Sequence, residues 1–328
     1  MTSFSFLVSH AHLSGSIPLA TLERLHIDAT RNEKTPTQFP DPSKYTDLNT
    51  FFHLFDSSIY KILNTPQAVT EATTAVLNFF REDGCIYLEL RTTPRALPDE
   101  PPSAYLDSVL KALSLHDQSK MIVRLILSIS WDFTKEKVKQ VVDWALEAKS
   151  QGVVGIDVCG NPKNSFMYKT LIPELQRAKN EGLKLTIHFA ELEKLQPDRL
   201  GHATFLTTEV KENIIQHKRP IEICLSSNVK GGSVASMADH HMKWAVKHEV
   251  PILISTDDPL VFTTKPSDEY RYALGLLDNN VEKLVSLLST SISHTFCTTE
   301  EQEILRGKIN DFNDKISGYG APSLEYSE

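Results

Sequence analysis

Two histidines lie two positions apart near the N-terminus, in the sequence VSHAHLSGS at residues 8–16. His10 and His12 follow the apolar run 4–8, which predicts a β-strand. Side chains at positions i and i+2 of a strand point to the same face, so both imidazoles would project in one direction. Such a pair can bind a metal ion, although an isolated His-x-His pair is more often incidental.

Further imidazoles and carboxylates follow later apolar runs. His188 and Glu191 come at the end of LKLTIHF, His202 follows DRLG, and Asp257 and Asp258 follow VPILIST. Each has an ordinary alternative, because the glutamate could lie in the first turn of a helix, the aspartates could form a turn, and the histidine could be structural. Together, three histidines and an aspartate supply the nitrogen and oxygen ligands that zinc accepts.

This set of residues predicts hydrolytic chemistry. Zinc lowers the pKa of water toward neutrality and so provides a nucleophile near pH 7. A carboxylic acid such as Glu191 could move a proton, and His202 and Asp258 could orient the attacking water. The sequence therefore indicates metal-assisted hydrolytic attack on an electrophilic carbon.

Eight short apolar runs would position these residues, and three of the helical patterns between them end in glycine, a common helix stop signal. Alternating strands and helices predict parallel β/α units, and eight such units predict an α/β fold of the (β/α)8 TIM barrel type, whose functional residues lie at the C-terminal ends of the strands. We expect one barrel domain over residues 1–328, with C-terminal helices. The polar segment 28–47 is either a surface linker or part of a lid. The apolar runs are 4–10, 85–91, 121–130, 153–159, 183–189, 198–203, 221–227 and 250–256.

Composition excludes several classes of protein. The formal net charge of −8 argues against a generally basic nucleic-acid-binding surface. The four cysteines are scattered singly, which indicates neither a disulfide framework nor a zinc ribbon. No stretch approaches a membrane span. We therefore expect a cytoplasmic protein with no nucleic-acid or membrane partner.

An ordered set of motifs across essentially the whole chain resembles the adenosine/AMP deaminase family of zinc barrels, which are TIM barrels of the metal-dependent hydrolase type. The zinc deaminases that act on cytidine use a different signature with PCxxC, which is absent here. The matching motifs are HAHLSGS (10–16), ELRTTPR (89–95), GIDVCGNP (155–162), IHFAE (187–191), DRLGHAT (198–204), CLSSN (224–228) and STDDP (255–259).

The resemblance implies roles by position. Glu191 would protonate purine N1, His202 and Asp258 would orient the attacking water, and the backbone N–H of Gly160 would donate to purine N3. The partner would be a small purine nucleotide, and we expect a monomer. The ligands of one Zn²⁺ per chain would be His10, His12, His188 and Asp257.

Within the family, the resemblance is greater to the subgroup that hydrolyses N6-methyl-AMP to IMP and methylamine. Deaminases of free adenosine generally carry an aspartate where this chain has Ser14, and a carboxylate there would repel a 5′-phosphate. Arg95 adds a guanidinium suited to phosphate, although the residues alone, without the resemblance, favour a surface salt bridge for it. The implied substrate-binding residues are His12, Ser14, Tyr60, Thr92, Thr93, Pro94, Arg95, Gly160 and Asp258.

Two other functions remain open at this stage. A deaminase of adenosine or adenine would use the same chemistry, and Ser14 and Arg95 argue against it. A catalytically silent binding protein on the same scaffold is a more remote alternative, since such a protein is expected to lose a zinc ligand or the acid.

Overall fold

The computed structural model describes residues 5–30, 38–44, 53–160, 168–188 and 195–319. Its eight strands are all parallel and lie beside one another in chain order. Each strand overlaps one of the eight apolar runs, as expected for strands buried between a barrel interior and a layer of helices. The strands are β1 (Phe6–His12), β2 (Cys85–Thr92), β3 (Ile122–Ser130), β4 (Val153–Cys159), β5 (Lys184–Ile187), β6 (Arg199–Gly201), β7 (Ile221–Ile223) and β8 (Ile252–Ile254).

The sheet closes on itself at the end that carries the histidines. Ala11 of β1 forms a parallel bridge to Asp257, just beyond β8. The N–H of His12 donates to the carbonyl of Asp257, and the N–H of Asp257 donates to the carbonyl of His10, each at 2.9 Å. The predicted (β/α)8 barrel is confirmed, and the contact that closes it also fixes the backbone of three predicted metal ligands.

Helices connect and cover the strands. The helix Pro66–Glu82 begins as its sequence predicts, because the hydroxyl of Thr65 accepts a hydrogen bond from the N–H of Ala68 at 3.2 Å, and Gly84 follows with a φ of +94°. Other helices of six or more residues are Leu19–Thr30, Ala104–Leu115, Lys135–Glu147, Tyr168–Asn180, Thr208–His217, Leu225–Lys230, Met242–Lys247, Pro266–Leu276, Val281–Ile292 and Thr299–Tyr319.

The interior of the barrel is charged, whereas its outer face is apolar. In β2, Glu89 and Arg91 alternate with Leu88 and Leu90, and all four side chains are buried. Alternation along a strand sends the charged pair into the barrel and the leucines toward the helices. Buried charges need partners, and the charged side chains of the barrel interior form ion pairs with one another.

Two expectations need correction. The strand predicted at 221–227 was wrong beyond Ile223, because a helix begins at Leu225. The N–H of Ser226, in the first turn of this helix, donates to the carboxyl group of buried Glu269 at 3.2 Å. The irregular segment 28–47 begins inside the helix Leu19–Thr30, and residues 31–37 and 45–47, which matter most to the choice between linker and lid, lie outside the described residues. Across the described ranges, no helix combines the length and apolar character needed to cross a membrane.

Candidate metal centre and active site

The four predicted metal ligands meet at the C-terminal ends of the strands. His10 and His12 lie on β1, His188 directly follows β5, and Asp257 follows β8. Nε2 of His12 lies 3.2 Å from Nε2 of His10 and 3.2 Å from Nε2 of His188. Oδ1 of Asp257 lies 3.3 Å from Nε2 of His10 and 3.4 Å from Nε2 of His12. The structure thus brings all four together around one point.

Two buried carboxylates orient the imidazoles. Nδ1 of His10 lies 2.9 Å from Oε2 of Glu222, and Nδ1 of His188 lies 2.9 Å from Oδ1 of Asp157. An ionised carboxylate only accepts, so both histidines carry their proton on Nδ1 and turn the lone pair of Nε2 toward the other ligands. Metal-binding histidines are typically held in this way. The donor set therefore fits a divalent metal such as zinc.

The pKa values of both carboxyl groups lie well below their usual range. Burial would raise the pKa of Glu222, but the charges of Arg91 and Arg199 outweigh it. Burial would likewise raise the pKa of Asp157, and its electrostatic interactions with His188 and Arg91 reverse that effect. Both groups are therefore ionised near neutral pH, as their role as acceptors requires.

These carboxylates belong to an ion-pair network within the barrel. Nη1 of Arg91 lies 3.2 Å from Oδ1 of Asp157, and its Nη2 lies 2.5 Å from Oε2 of Glu222. Arg199 donates from Nε to Oε1 of Glu222 at 2.8 Å and pairs with Glu89 on its other side. All five side chains are fully buried. The carboxylates that orient the candidate metal ligands are therefore held in place by a rigid network of ion pairs.

A fifth candidate ligand, His202, lies beside the other four. Ligand atoms of His10, His188, His202 and Asp257 all fall within 4.8 Å of one another. Nε2 of His202 lies 3.8 Å from Oδ2 of Asp257. Burial lowers the pKa of His202 to about 3, so its imidazole is neutral near pH 7. Distance alone does not separate a ligand role for His202 from the predicted role of orienting water.

The carboxyl group of the second aspartate, Asp258, lies against Gly15, where any larger residue would collide with it. A Cβ at Gly15 would lie 1.6 Å from Oδ1 of Asp258. This oxygen is buried and has no hydrogen-bond partner among the described residues. Burial and the neighbouring charge of Asp257 raise the pKa of Asp258 well above its usual range. An unpartnered carboxylate oxygen beside the candidate ligands is suited to contact a reacting molecule.

Arg95 is held between two aromatic rings. Its guanidinium carbon lies 4.5 Å from the ring centre of Tyr60 and 4.4 Å from that of Tyr105. Its Nε and Nη2 are buried and make no hydrogen bond within the described part of the chain. The hydroxyl of Tyr105 in turn lies 2.7 Å from Oγ1 of Thr92. Stacking thus positions Arg95 and leaves two of its donors for another molecule.

Tyr60, one of the two rings beside Arg95, also packs against Phe55, with their ring centres 5.8 Å apart. Burial raises the pKa of Tyr60, and the charge of Arg95 opposes the rise. The sequence alone did not identify Tyr105, because its contacts with Arg95 and Thr92 depend on the fold.

The remaining predicted residues lie on the same face of the barrel, except where the structure does not describe them. Ser14 is in the short turn Ser14–Ser16 just after β1, and Thr93 and Pro94 join β2 to Arg95. Gly160 directly follows β4 with a φ of +100°, and a Cβ there would lie 2.7 Å from Oγ of Ser130, so glycine is required. The predicted acid, Glu191, lies outside the described residues.

Comparison with known proteins agrees with this geometry. A sequence model of the adenosine deaminase family matches residues 7–312. The chain belongs to the adenosine deaminase family. Its deaminase relatives include the N6-mAMP deaminase of Arabidopsis thaliana, 32% identical over 90% of this chain and 94% of the relative, and the human N6-methyl-AMP deaminase, 30% identical over 94% of this chain and 93% of the relative. The crystal structure of Arabidopsis ADAL complexed with IMP has a TM-score of 0.90 at 30% identity, over 96% of this chain and 98% of that one.

Membership in the adenosine deaminase family makes the chain an aminohydrolase. The family is metal-dependent, and the cluster of histidines and Asp257 is the possible metal site of this member. The sequence did not identify Glu222 and Asp157 as the groups that orient these ligands. A signal was present, because each is a single carboxylate within an otherwise apolar strand.

Proposed function

We propose that this protein is a zinc-dependent deaminase of N6-methyl-AMP and related N6-substituted purine nucleoside monophosphates. One water is consumed, and N6-methyl-AMP yields IMP and methylamine. The observation that carries the substrate class is Arg95, stacked between Tyr60 and Tyr105, whose buried Nε and Nη2 have no acceptor among the described residues. Relatives named N6-methyl-AMP deaminase, and similarity to a structure complexed with IMP, support the same reaction.

Zinc is the metal that this donor set suits best. Three imidazoles and one carboxylate, those of His10, His12, His188 and Asp257, would hold it. When bound, zinc supplies a Lewis acid that makes water nucleophilic at neutral pH. Glu222 and Asp157 keep two of the imidazoles in the tautomer that binding requires.

The other residues of the site act on the purine and on the attacking water. Glu191 gives a proton to purine N1, which makes C6 electrophilic. His202 donates a hydrogen bond to the water, and Asp258 accepts one through Oδ1, which has no partner in the described part of the chain. The N–H of Gly160 binds purine N3. A general acid or base contributes typically ~10²–10⁴-fold to the rate.

The 5′-phosphate is bound by groups that follow β1 and β2. Arg95 provides two donor nitrogens, Nε and Nη2, on a guanidinium held by its aromatic neighbours. Ser14, together with Thr92, Thr93 and Pro94 of the loop that leads to Arg95, provides the surrounding hydroxyl and backbone groups. An arginine held in this way recognises phosphate without losing side-chain freedom on binding.

A panel of substrates tests the proposed function. Zinc-replete protein is assayed with adenine, adenosine, AMP and N6-methyl-AMP, and both the purine product and the amine are quantified. We expect the highest kcat/KM for N6-methyl-AMP, with one methylamine released per IMP formed. A Glu191→Gln preparation purified in parallel controls for contaminating deaminases. Faster turnover of adenosine or adenine would assign the chain to nucleosides or bases, and no turnover at all would indicate a silent scaffold.

We further expect the chain to act as one barrel domain and as a monomer, because every described residue assigned to the site comes from a single barrel. We also expect a cytoplasmic location. Light scattering of the purified protein tests the oligomeric state. A dimer at assay concentrations would contradict this expectation without affecting the proposed chemistry.

A further inference from the structure

A chain of hydrogen bonds runs from the backbone of Met242 to the imidazole of His202. The N–H of Met242 lies 3.1 Å from Nδ1 of His240, and Nε2 of His240 lies 3.2 Å from Oδ1 of Asn228. Nδ2 of Asn228 lies 3.1 Å from Nδ1 of His202. His240 and Asn228 are buried, and neither belongs to the set of residues assigned above.

The direction of every hydrogen bond in this chain follows from the first one, which the backbone of Met242 makes with His240. A backbone N–H can only donate, so Nδ1 of His240 accepts from Met242. Burial lowers the pKa of His240 to about 3, so the ring is neutral and carries its single proton on Nε2. This nitrogen donates to Asn228, which must present its oxygen to His240 and its amide nitrogen to His202.

The same reasoning fixes the tautomer of His202. Its Nδ1 accepts from the amide of Asn228 and is therefore unprotonated, so the ring carries its proton on Nε2. Nε2 is the atom that faces Asp257 and the candidate metal centre. Protonated Nε2 has no lone pair for a metal, whereas His10 and His188 are protonated on Nδ1 and have one.

A second contact holds the backbone of His202. Nε2 of the neighbouring His241 lies 2.6 Å from the carbonyl of His202 and donates to it. His202 has a φ of +53°, and the N–H of Ala203 donates to the carbonyl of Gly201 at 2.6 Å. A turn closed by such an i+2 to i hydrogen bond, with a positive φ at its central residue, is rare and strained for a non-glycine residue. His241 therefore stabilises the conformation that presents the imidazole.

We propose that Asn228 and His240 are positioning residues that fix His202 as a hydrogen-bond donor and exclude it from the metal coordination sphere. The inference deepens the proposed function and rests on it only for the effect on catalysis. The tautomer itself is a property of the folded protein and can be measured without substrate or metal.

Nitrogen NMR of protein labelled with ¹⁵N at histidine measures this tautomer directly. Long-range proton–nitrogen correlation distinguishes the protonated ring nitrogen from the unprotonated one, and loss of a signal in His202→Asn assigns the resonance. In both metal-free and zinc-loaded wild-type protein we expect His202 to be protonated on Nε2 and unprotonated on Nδ1. Protonation on Nδ1, or direct coordination of zinc by His202, would overturn the proposal.

An isosteric variant should reverse the tautomer. In Asn228→Asp the carboxylate still accepts from His240 but offers His202 only an acceptor, so His202 should move its proton to Nδ1. With N6-methyl-AMP we expect kcat to fall by about 10²–10⁴-fold, the range found for general acid–base groups and for a misplaced tautomer. Zinc content should remain one per chain, and KM should change far less than kcat.

Asn279→Asp is the matched control, since it adds the same charge at an exposed position and should change neither the His202 signals nor kcat. An Asn228→Asp variant that keeps the wild-type tautomer and kcat would overturn the proposal. Should that variant fail to fold, the wild-type spectrum alone still decides it. If the spectrum shows the expected tautomer but no purine is deaminated, the proposed function fails and the positioning inference stands.

Discussion

Oδ1 of Asp157 lies 2.9 Å from Nδ1 of His188 and 3.2 Å from Nη1 of Arg91. One buried carboxylate oxygen therefore joins a candidate metal ligand to the ion-pair network of the barrel. The arginine holds the pKa of this carboxyl low, and the carboxylate sets the tautomer of the histidine. Charges deep in the barrel thereby act on the metal centre through a single side chain.

Replacing this carboxylate should weaken metal binding more than it disturbs the fold. In Asp157→Asn the remaining oxygen can still accept from His188, and the new amide can donate to Ser128, which now donates to Oδ2 at 3.0 Å. We expect the zinc affinity to fall about 10–100-fold, as is typical when such a partner is lost. Competition with a chelator measures the affinity. Asp268→Asn, which removes a partly exposed partner of Arg271, should leave it unchanged.

Loss of His12 should remove metal and activity together. Its Nε2 lies 3.2 Å from Nε2 of both neighbouring histidines. We therefore expect His12→Ala, after dialysis, to contain far less zinc by elemental analysis than the wild type, while exposed His217→Ala retains it. Full zinc occupancy in His12→Ala, with the other ligands intact, would remove His12 from the ligand set.

Glu191→Gln should bind zinc and substrate normally but lose turnover. An amide cannot deliver the proton that purine N1 needs, so kcat should fall ~10²–10⁴-fold. Zinc content, substrate affinity by calorimetry and single-turnover kinetics separate binding from chemistry. Near wild-type kcat in a folded, zinc-replete variant would remove Glu191 from this role.

Buried Glu269 should make stability depend on pH. Burial outweighs its hydrogen bonds from Ser226 and Thr264 and raises its pKa to about 7 from an ordinary value of 4.5. The folded protein therefore binds a proton that the unfolded chain releases, and this contribution to stability is present below about pH 4.5 and lost as the pH rises to about 7. At about 1.4 kcal/mol per pH unit, the loss reaches roughly 3 kcal/mol.

Urea unfolding across this pH window tests the contribution of Glu269. Relative to wild type, Glu269→Gln should gain free energy of unfolding steadily as the pH rises, because its amide does not titrate. Glu249→Gln, at an exposed position paired with Lys218, should show a difference from wild type that does not vary with pH. A constant difference for Glu269→Gln as well would contradict the raised pKa.

The sequence was sufficient to predict the eight strands and to place the candidate metal ligands at their C-terminal ends. Apolar runs, the cap at Thr65 and the glycine at Gly84 are local signals, and the barrel rule converts strand ends into a common site. The end of β7 was predicted too far along the chain, because apolar residues such as Cys224 and Leu225 are common both in strands and in buried helices. Over so few residues, hydrophobic periodicity does not distinguish a strand from a helix.

Residue contacts between distant segments could not be predicted. The pairing of His10 with Glu222, the stacking of Tyr105 on Arg95 and the bond from Asn228 to His202 each depend on which distant segments the fold brings together. A single sequence shows that such residues are polar or aromatic. It does not show which partner each will meet.

The central claim is that the pocket selects a nucleotide through Arg95, and the ratio of kcat/KM for N6-methyl-AMP to that for N6-methyladenosine tests it most directly. Charge-assisted hydrogen bonds contribute on the order of 1.5–3 kcal/mol, so the wild type should prefer the nucleotide by roughly ten- to a hundredfold. Arg95→Ala should reduce this ratio mainly by slowing the nucleotide, and Ser14→Asp should reduce it further by adding like charge. Arg81→Ala, at an exposed arginine, should leave it unchanged. A wild type that hydrolyses both compounds equally well, with a ratio that neither substitution alters, would contradict the claim.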